Sequence, residues 1–365
     1  MYRILSETIS IAVTASIALA TGLLFRWLDL PAPFLIGSLF GVWLSGVIIE
    51  PLRPKLVVPQ WLYLPVALGL GTLIGANFRP DVLSHVSAAA TTVTAMVAAT
   101  LLATIAGLVF LMRVRHYNFI TALLCCVPGG QAEVVMMSRD LTDKDYVVAL
   151  FHLVRVALVF CSTPLLLALI EGEASVTASN AALQAMPSLA NIDFKTLLIF
   201  LAVPAISLPL ARYLHLPMPH LIGPLLVSSS LHIAGLIEIP RINEFIILAQ
   251  ITIGSSVGSR LAKVPFIKLA GYLGDAVVNA LIILAAYGAM AFFIASLTGI
   301  DFVNMLLAFV PGGLYEVTLL ALIFGFDVAF VAFHHTIRMM LIFFSLPLIV
   351  GRVTRQKTMS DIEKH

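Results

Sequence analysis

Charge is scarce in this chain. Aspartate, glutamate, lysine and arginine make up 11% of its 365 residues, and hydrophobic residues make up 60%. An average soluble chain carries about 25% charged residues. Cysteine is scarcer still: Cys125, Cys126 and Cys161 lie inside apolar runs, with neither a disulfide framework nor zinc-ligand spacing, and read as small core residues. The nine histidines are scattered, and no H-x-x-x-H pair occurs. That argues against the clustered ligands a copper or iron oxygenase needs. There is no Walker A sequence, which argues against ATP-driven work by this chain alone. No basic patch with interleaved aromatics is present, which argues against nucleic acid. No metal, cofactor or catalytic residue is assigned, and the chain does not read as an enzyme.

What is present is apolar sequence in long blocks. The mean hydropathy is +1.05. Blocks such as 87–112, 197–210 and 276–297 are separated by short charged spacers. Blocks near 20 residues match a hydrocarbon core of roughly 30 Å at 1.5 Å per residue. Lipid also removes the need to hide so much apolar surface. The first block follows Arg3 as in a signal peptide, but Glu7 interrupts it and the sequence just after it recurs later. It is therefore read as a retained first helix.

The chain repeats itself. Residues 30–37 read L-P-A-P-F-L-I-G and residues 216–223 read L-P-M-P-H-L-I-G, with six of eight positions identical at an offset of 186. Val127 to Gly130 (V-P-G-G) returns at Val310 to Gly313, at an offset of 183. The same 183 carries Gly71, Gly75, Glu133, His152, Arg155 and Pro164 onto Gly254, Gly258, Glu316, His335, Arg338 and Pro347. Proline, glycine, glutamate, histidine and arginine matching in one register mark a duplication. The units are a first transmembrane repeat over 1–170, a polar linker over 171–193, a second repeat over 194–351 and a cytoplasmic tail over 352–365.

Apolar periodicity places helices near 5–27, 33–49, 58–77, 84–112 and 146–170 in the first repeat. In the second they fall near 194–214, 218–237, 242–260, 270–298 and 327–350. Between the last two of each set lies an interrupted segment, 118–138 or 301–325, with Pro-Gly-Gly near its middle. Proline lacks the amide donor and glycine is a poor helix former, so two half-helices around a break are expected. If the broken segment returns, each repeat crosses five times and the repeats are inverted; if it crosses, they are parallel. Charge favours the first. Arg53, Lys55, Arg113, Arg115, Arg139 and Lys144 then share the inner side with Arg260, Lys263, Lys268 and the tail, and Glu171 and Glu173 fall outside. The fold expected is an all-α polytopic membrane protein of two inverted repeats, about ten transmembrane helices and two Pro-Gly-Gly-broken hairpins.

The ionisable residues at membrane depth stand out, because such charges are costly. The pattern P-G-G-x-x-E followed by H-x-x-R occurs once per repeat. Glu133 and Glu316 would sit in the first turn of a half-helix, near its positive end. His152 and Arg155, like His335 and Arg338, share a helical face. One reading is a polar site where the breaks meet. Arg155 and Arg338 would bind a carboxylate, together with backbone at Gly129, Gly130, Gln131, Gly312 and Gly313. Glu133 and Glu316 would hold a coupling proton or sodium ion, with His152 and His335 relaying protons. The rival reading has each arginine neutralising the glutamate of its own repeat. Gln131 is replaced by Leu314 at the matching position of the second repeat, so the breaks differ chemically. The spacings Gly37-x-x-x-Gly41, Gly71-x-x-x-Gly75 and Gly254-x-x-x-Gly258 point to close helix packing. Asn77 and Arg260 end equivalent helices and read as interfacial residues.

V-P-G-G-Q-A-E at Val127 to Glu133 and V-P-G-G-L-Y-E at Val310 to Glu316, in a duplicated membrane chain, resemble the AbrB membrane-protein family, and the resemblance covers essentially the whole chain. The family is distinct from the soluble DNA-binding regulator of the same name. It implies a multi-pass protein of the bacterial inner membrane. Its members are often labelled ammonia monooxygenases, and one line is linked to regulation of gene expression. The function expected from the residues is secondary transport of a small organic anion driven by a proton or sodium gradient. The alternative is a membrane sensor that binds a metabolite. The expected partners are the lipid bilayer, a small anionic metabolite and a proton or sodium ion, with room for a homo-oligomer.

Overall fold

The computed structural model describes residues 2–80, 86–129 and 131–362. All regular structure among them is helical. The helices are α1 (Tyr2–Trp27), α2 (Pro33–Ile48), α3 (Gln60–Gly75), α4 (Val86–Val109), α5 (Phe119–Cys126), α6 (Gln131–Leu141), α7 (Asp145–Glu171) and α8 (Glu173–Ala185). They continue with α9 (Phe194–Tyr213), α10 (Pro219–Ile233), α11 (Asn243–Ala262), α12 (Ala270–Thr298), α13 (Phe302–Phe309), α14 (Leu314–Phe324) and α15 (Val328–Ile362). Seven of these, α1, α4, α7, α9, α11, α12 and α15, contain a stretch long and apolar enough to cross a membrane. The helices α2, α3 and α10 are apolar but have only 16, 16 and 15 residues. They reach about 24 Å, short of a typical hydrocarbon core.

Two groups of helices form. In the first, α2 lies against α11 and α3 against α10, with α1 on α2 and α9 on α10. In the second, α4, α7 and α13 surround α12, and α15 packs on α13 and α14. Contacts between the groups are thinner and run through α3 and α11 of the first and α7, α14 and α15 of the second. We call the first group the panel and the second the bundle. The polar segment after α7 forms α8 and packs against α14, α7 and α11, burying Val176 and Leu183.

Small residues interlock the panel. A Cβ added at Gly71 or Gly75 of α3 would lie 2.6 Å from the carbonyl oxygen of Leu221 or Leu225 on α10. A Cβ added at Gly254 or Gly258 of α11 would strike the carbonyl oxygen of Leu35 or Leu39 on α2. The contacts follow the sequence offsets, so each glycine pair clasps the second helix of the other half. Gly37 and Gly41 meet α1 at Thr21 and Gly22 in the same manner. Lipid offers little hydrophobic drive between helices, so close backbone approach of this kind supplies the attraction.

Both interrupted segments turn back. The α5 start and the residue after α6 are joined by a hydrogen bond between the hydroxyls of Thr121 and Thr142 (2.9 Å). The α13 start and the residues after α14 are joined by the Asp327 amide donating to Asn304 Oδ1 (2.9 Å). Each first half-helix is capped alike: Asn118 accepts from the Thr121 amide, and Asp301 accepts from the Asn304 amide. At the tips, a Cβ at Gly129 would come 3.1 Å from Ile342 of α15, and one at Gly312 would come 3.0 Å from Val159 of α7. Gly129 has φ +134°, a conformation side chains disfavour.

Gly75→Val and Gly258→Val are expected to destabilise the panel by about 1–3 kcal/mol each, the usual range for overpacking. Gly271→Ala, where an added Cβ meets nothing within 4 Å, serves as the control. Unfolding in mixed micelles measures all three; a tolerated valine at both panel positions would contradict the interlock.

Candidate functional site

The two breaks are held by the same device. On α7, Arg155 Nη2 donates to the carbonyl of Val127 (3.0 Å) and to His152 Nδ1 (2.9 Å), and His152 Nε2 bonds the carbonyl of Leu124 (2.9 Å). On α15, Arg338 Nη1 and Nη2 donate to the carbonyls of Phe309 (2.8 Å) and Val310 (3.1 Å). Arg338 Nη2 also reaches His335 Nδ1 (2.9 Å), and His335 Nε2 bonds the carbonyl of Leu307 (2.9 Å). A guanidinium only donates and a carbonyl only accepts, so each imidazole must be neutral with its proton on Nε2. Each H-x-x-R pair therefore closes the open carbonyl end of the preceding half-helix. All four side chains are buried. Arg338 also lies over the Tyr287 ring at 5.6 Å, and the Tyr287 hydroxyl donates to Thr100.

Arg338 does not pair with Glu316. The ion pairs among the described residues are Arg53–Glu50 and Arg115–Asp275. Glu316 is half-buried, and its Oε2 meets no donor. Its carboxylate folds back over Gly313, where an added Cβ would overlap it. Gly313 caps α14 with no side chain of its own, so Glu316 lies beside the first free amides of that helix. Gly130 lies outside the described residues, as do the side chains of Gln131 and Glu133.

Panel and bundle enclose a cavity of about 880 Å³ between them. Bulk water occupies about 30 Å³ per molecule, so the cavity is large enough for a hydrated solute. Gly129, Gly312, Gly313, Glu316, Arg155, His335 and Arg338 all contribute to its wall, so it joins the predicted site residues of both halves; His152 stands behind Arg155 and does not line it. Arg139, Arg260 and Lys263 add exposed positive charge. Arg260, read from the sequence as interfacial, thus faces the cavity, with Nη2 donating to Ser256 (3.0 Å). Its partner in the repeat, Asn77, instead accepts from Arg241 (2.6 Å). Sequence reasoning also missed Tyr63, His220 and Tyr315, whose rings line the cavity. Nothing in their spacing marks them, because they come from three separate helices. His334, next to His335, bonds Thr92 and the Phe330 carbonyl, and no cluster of metal-ligand residues occurs among the described residues.

A family model described as "Transition state regulatory protein AbrB" matches residues 39–354. The chain belongs to the AbrB family. Two relatives of this AbrB-family chain align over most of their length. "Uncharacterized protein YhjN" of Bacillus subtilis (strain 168) is 27% identical over 339 residues, covering 85% of this chain and 87% of the relative. "Putative regulator AbrB" of Escherichia coli (strain K12) is 26% identical over 325 residues, covering 89% of this chain and 91% of the relative. No solved structure matches the chain.

Arg338→Gln strips donors from two buried carbonyls, and each bare acceptor costs about 1–3 kcal/mol. Glu316→Gln should not rescue it. The two effects should add within about 0.5 kcal/mol, as for sites without a shared bond. A thermal-stability cycle on the two single variants and the double variant checks this, and a rescue would reinstate an Arg–Glu pair.

Proposed function

We propose that this protein is a secondary transporter of a small organic anion, coupled to a proton or sodium gradient across the bacterial inner membrane. The observation that carries this reading is the cavity between panel and bundle, where both helix breaks meet. Five cationic side chains, Arg139, Arg155, Arg260, Lys263 and Arg338, line it against a single described carboxylate, Glu316. The N-terminus of α14 adds free amides and the positive end of a helix dipole. Gly312, Gly313 and Gly129 line the cavity with backbone. Arg155 and Arg338, though tied to carbonyls, contribute positive field to the deep end.

In this reading Glu316, with Glu133 as its counterpart, takes the coupling ion. His152 and His335 act by orienting the arginines, since both ring nitrogens of each are engaged. The repeats are inverted. With the short helices α2, α3 and α10 counted as crossings, two returning hairpins leave five per half, and an odd number reverses the second half. The hairpins then enter from opposite faces and their tips meet at the midplane, as in transporters built on inverted repeats. The cavity opens beside Arg139, Arg260 and Lys263, the inner side by the positive-inside rule. Sliding or rocking of the bundle against the panel would carry the site across.

The name of the Escherichia coli relative favours a second reading, a regulator that senses a metabolite at this site. Uptake separates the two. Proteoliposomes holding the purified protein are expected to accumulate radiolabelled carboxylates (acetate, succinate and benzoate are the first panel) under an imposed proton or sodium gradient. Glu316→Gln should abolish the dependence on that gradient. Binding without gradient-driven uptake of any anion would leave the sensor standing. Cysteines placed at Lys144 and within 173–191 should label from opposite sides; labelling from one side would sink the inverted arrangement.

A further inference from the structure

Three aromatic rings converge on the first turn of α14. Tyr315, its second residue, is 4% exposed. The Tyr63 ring of α3 meets it edge-on, with centroids 5.9 Å apart and planes at 79°. The His220 ring of α10 lies nearly parallel to it, at 6.2 Å and 12°. Tyr63 and His220 belong to the panel and Tyr315 to the bundle, and all three line the cavity. The rest of the nearby wall is apolar, with Leu64, Leu153, Val156, Met218 and Met339.

Anion recognition in the same cavity stands on a buried guanidinium. The first residues of the 11-residue α14, Leu314 to Glu316, line the cavity, and the Glu316 carboxylate covers the helix start. Arg155, 3% exposed, also lines the cavity, and its Nε has no acceptor. The exposed cations Arg139, Arg260 and Lys263 are placed to attract anions from water. They are screened by salt and lie apart from the buried Arg155.

The aromatic set occurs once. By the repeat offsets, the positions matching Tyr63, His220 and Tyr315 hold Ile246, Phe34 and Ala132. A transport path needs the charge features of both repeats, but one set of rings suffices to read one ligand's body.

We propose that the ligand is a ring-bearing monocarboxylate, with its carboxylate on the open Nε edge of Arg155 and its aromatic ring against the cavity-facing edges of Tyr63 and His220, which pack on Tyr315. This rests on the anion-transport reading above and names its substrate class. An aliphatic dicarboxylate would set its second charge against the apolar wall. An aromatic ring there gains edge-to-face and offset contacts beyond its apolar area.

The test compares benzoate, cyclohexanecarboxylate and succinate by calorimetry on the full purified chain. Benzoate and cyclohexanecarboxylate share size and charge and differ in the π-system. The proposal expects benzoate to bind about three- to tenfold more tightly than cyclohexanecarboxylate, the range of one good aromatic pair, and succinate to bind most weakly. Tyr63→Leu should bring the benzoate preference close to one; if that variant does not fold, His220→Leu makes the same comparison. Equal binding of the two rings, or tighter binding of succinate, overturns the ring assignment and leaves the anion site in place. Binding of none of the three overturns it as well, and the uptake assay then decides separately whether another anion is carried.

Discussion

A carbonyl oxygen left open at membrane depth has no water to turn to, and this constraint governs the centre of the molecule. Each Pro-Gly-Gly break ends a short helix, α5 or α13, in the interior of the protein. The exposed carbonyls are met by an arginine from the helix that follows, and that arginine is held in turn by a histidine three residues before it. The charge therefore closes a backbone interruption and gives the cavity its positive wall at the same time. Without the clamp, the hairpin tip would have no fixed position, and the first turn of α14 would not face the panel.

The same economy explains why Glu316 stands apart from Arg338. Arg338 spends its donors on Phe309, Val310 and His335, and Glu316 is supported instead by the start of its own helix. A carboxylate held by a helix terminus can exchange a proton or cation without breaking a salt bridge. A carboxylate clamped by a guanidinium could not do so as easily.

Much of this was legible in the sequence. Apolar blocks located the long helices to within a few residues, because a hydrophobic run has few other uses; the exception is α15, which continues past 350 through the charged tail to Ile362. The Pro-Gly-Gly triplets located the half-helices, since neither residue type sustains a helix interior. The glycine spacings in α3 and α11 announced close packing, and a Cβ at any of the four meets backbone oxygen of the facing helix. The partner helices were not legible: that α3 lies on α10, and α2 on α11, depends on which surfaces meet in space. The acceptors of the arginines were also hidden. A sequence shows charged side chains as natural partners for one another, and carbonyls carry no letter. Tyr63, His220 and Tyr315 converge from three helices, so no local pattern could have joined them. The helix α8 was hidden by its polar composition, which resembles a loose connection; among the described residues its buried face is Val176, Ser179, Asn180 and Leu183.

The exchange of partners within the panel bears on how the protein is made. As the chain emerges, α3 enters the membrane with the Gly71 and Gly75 face bare, because its mate α10 has yet to be synthesised. The α2 surface that α11 will cover is bare as well. The first half must therefore wait in the bilayer as an unfinished assembly, with two backbone-lined grooves open to lipid or to insertion factors. Only when α10 and α11 arrive can both grooves close. Translation speed across the α8 to α9 region would set how long that vulnerable intermediate lasts.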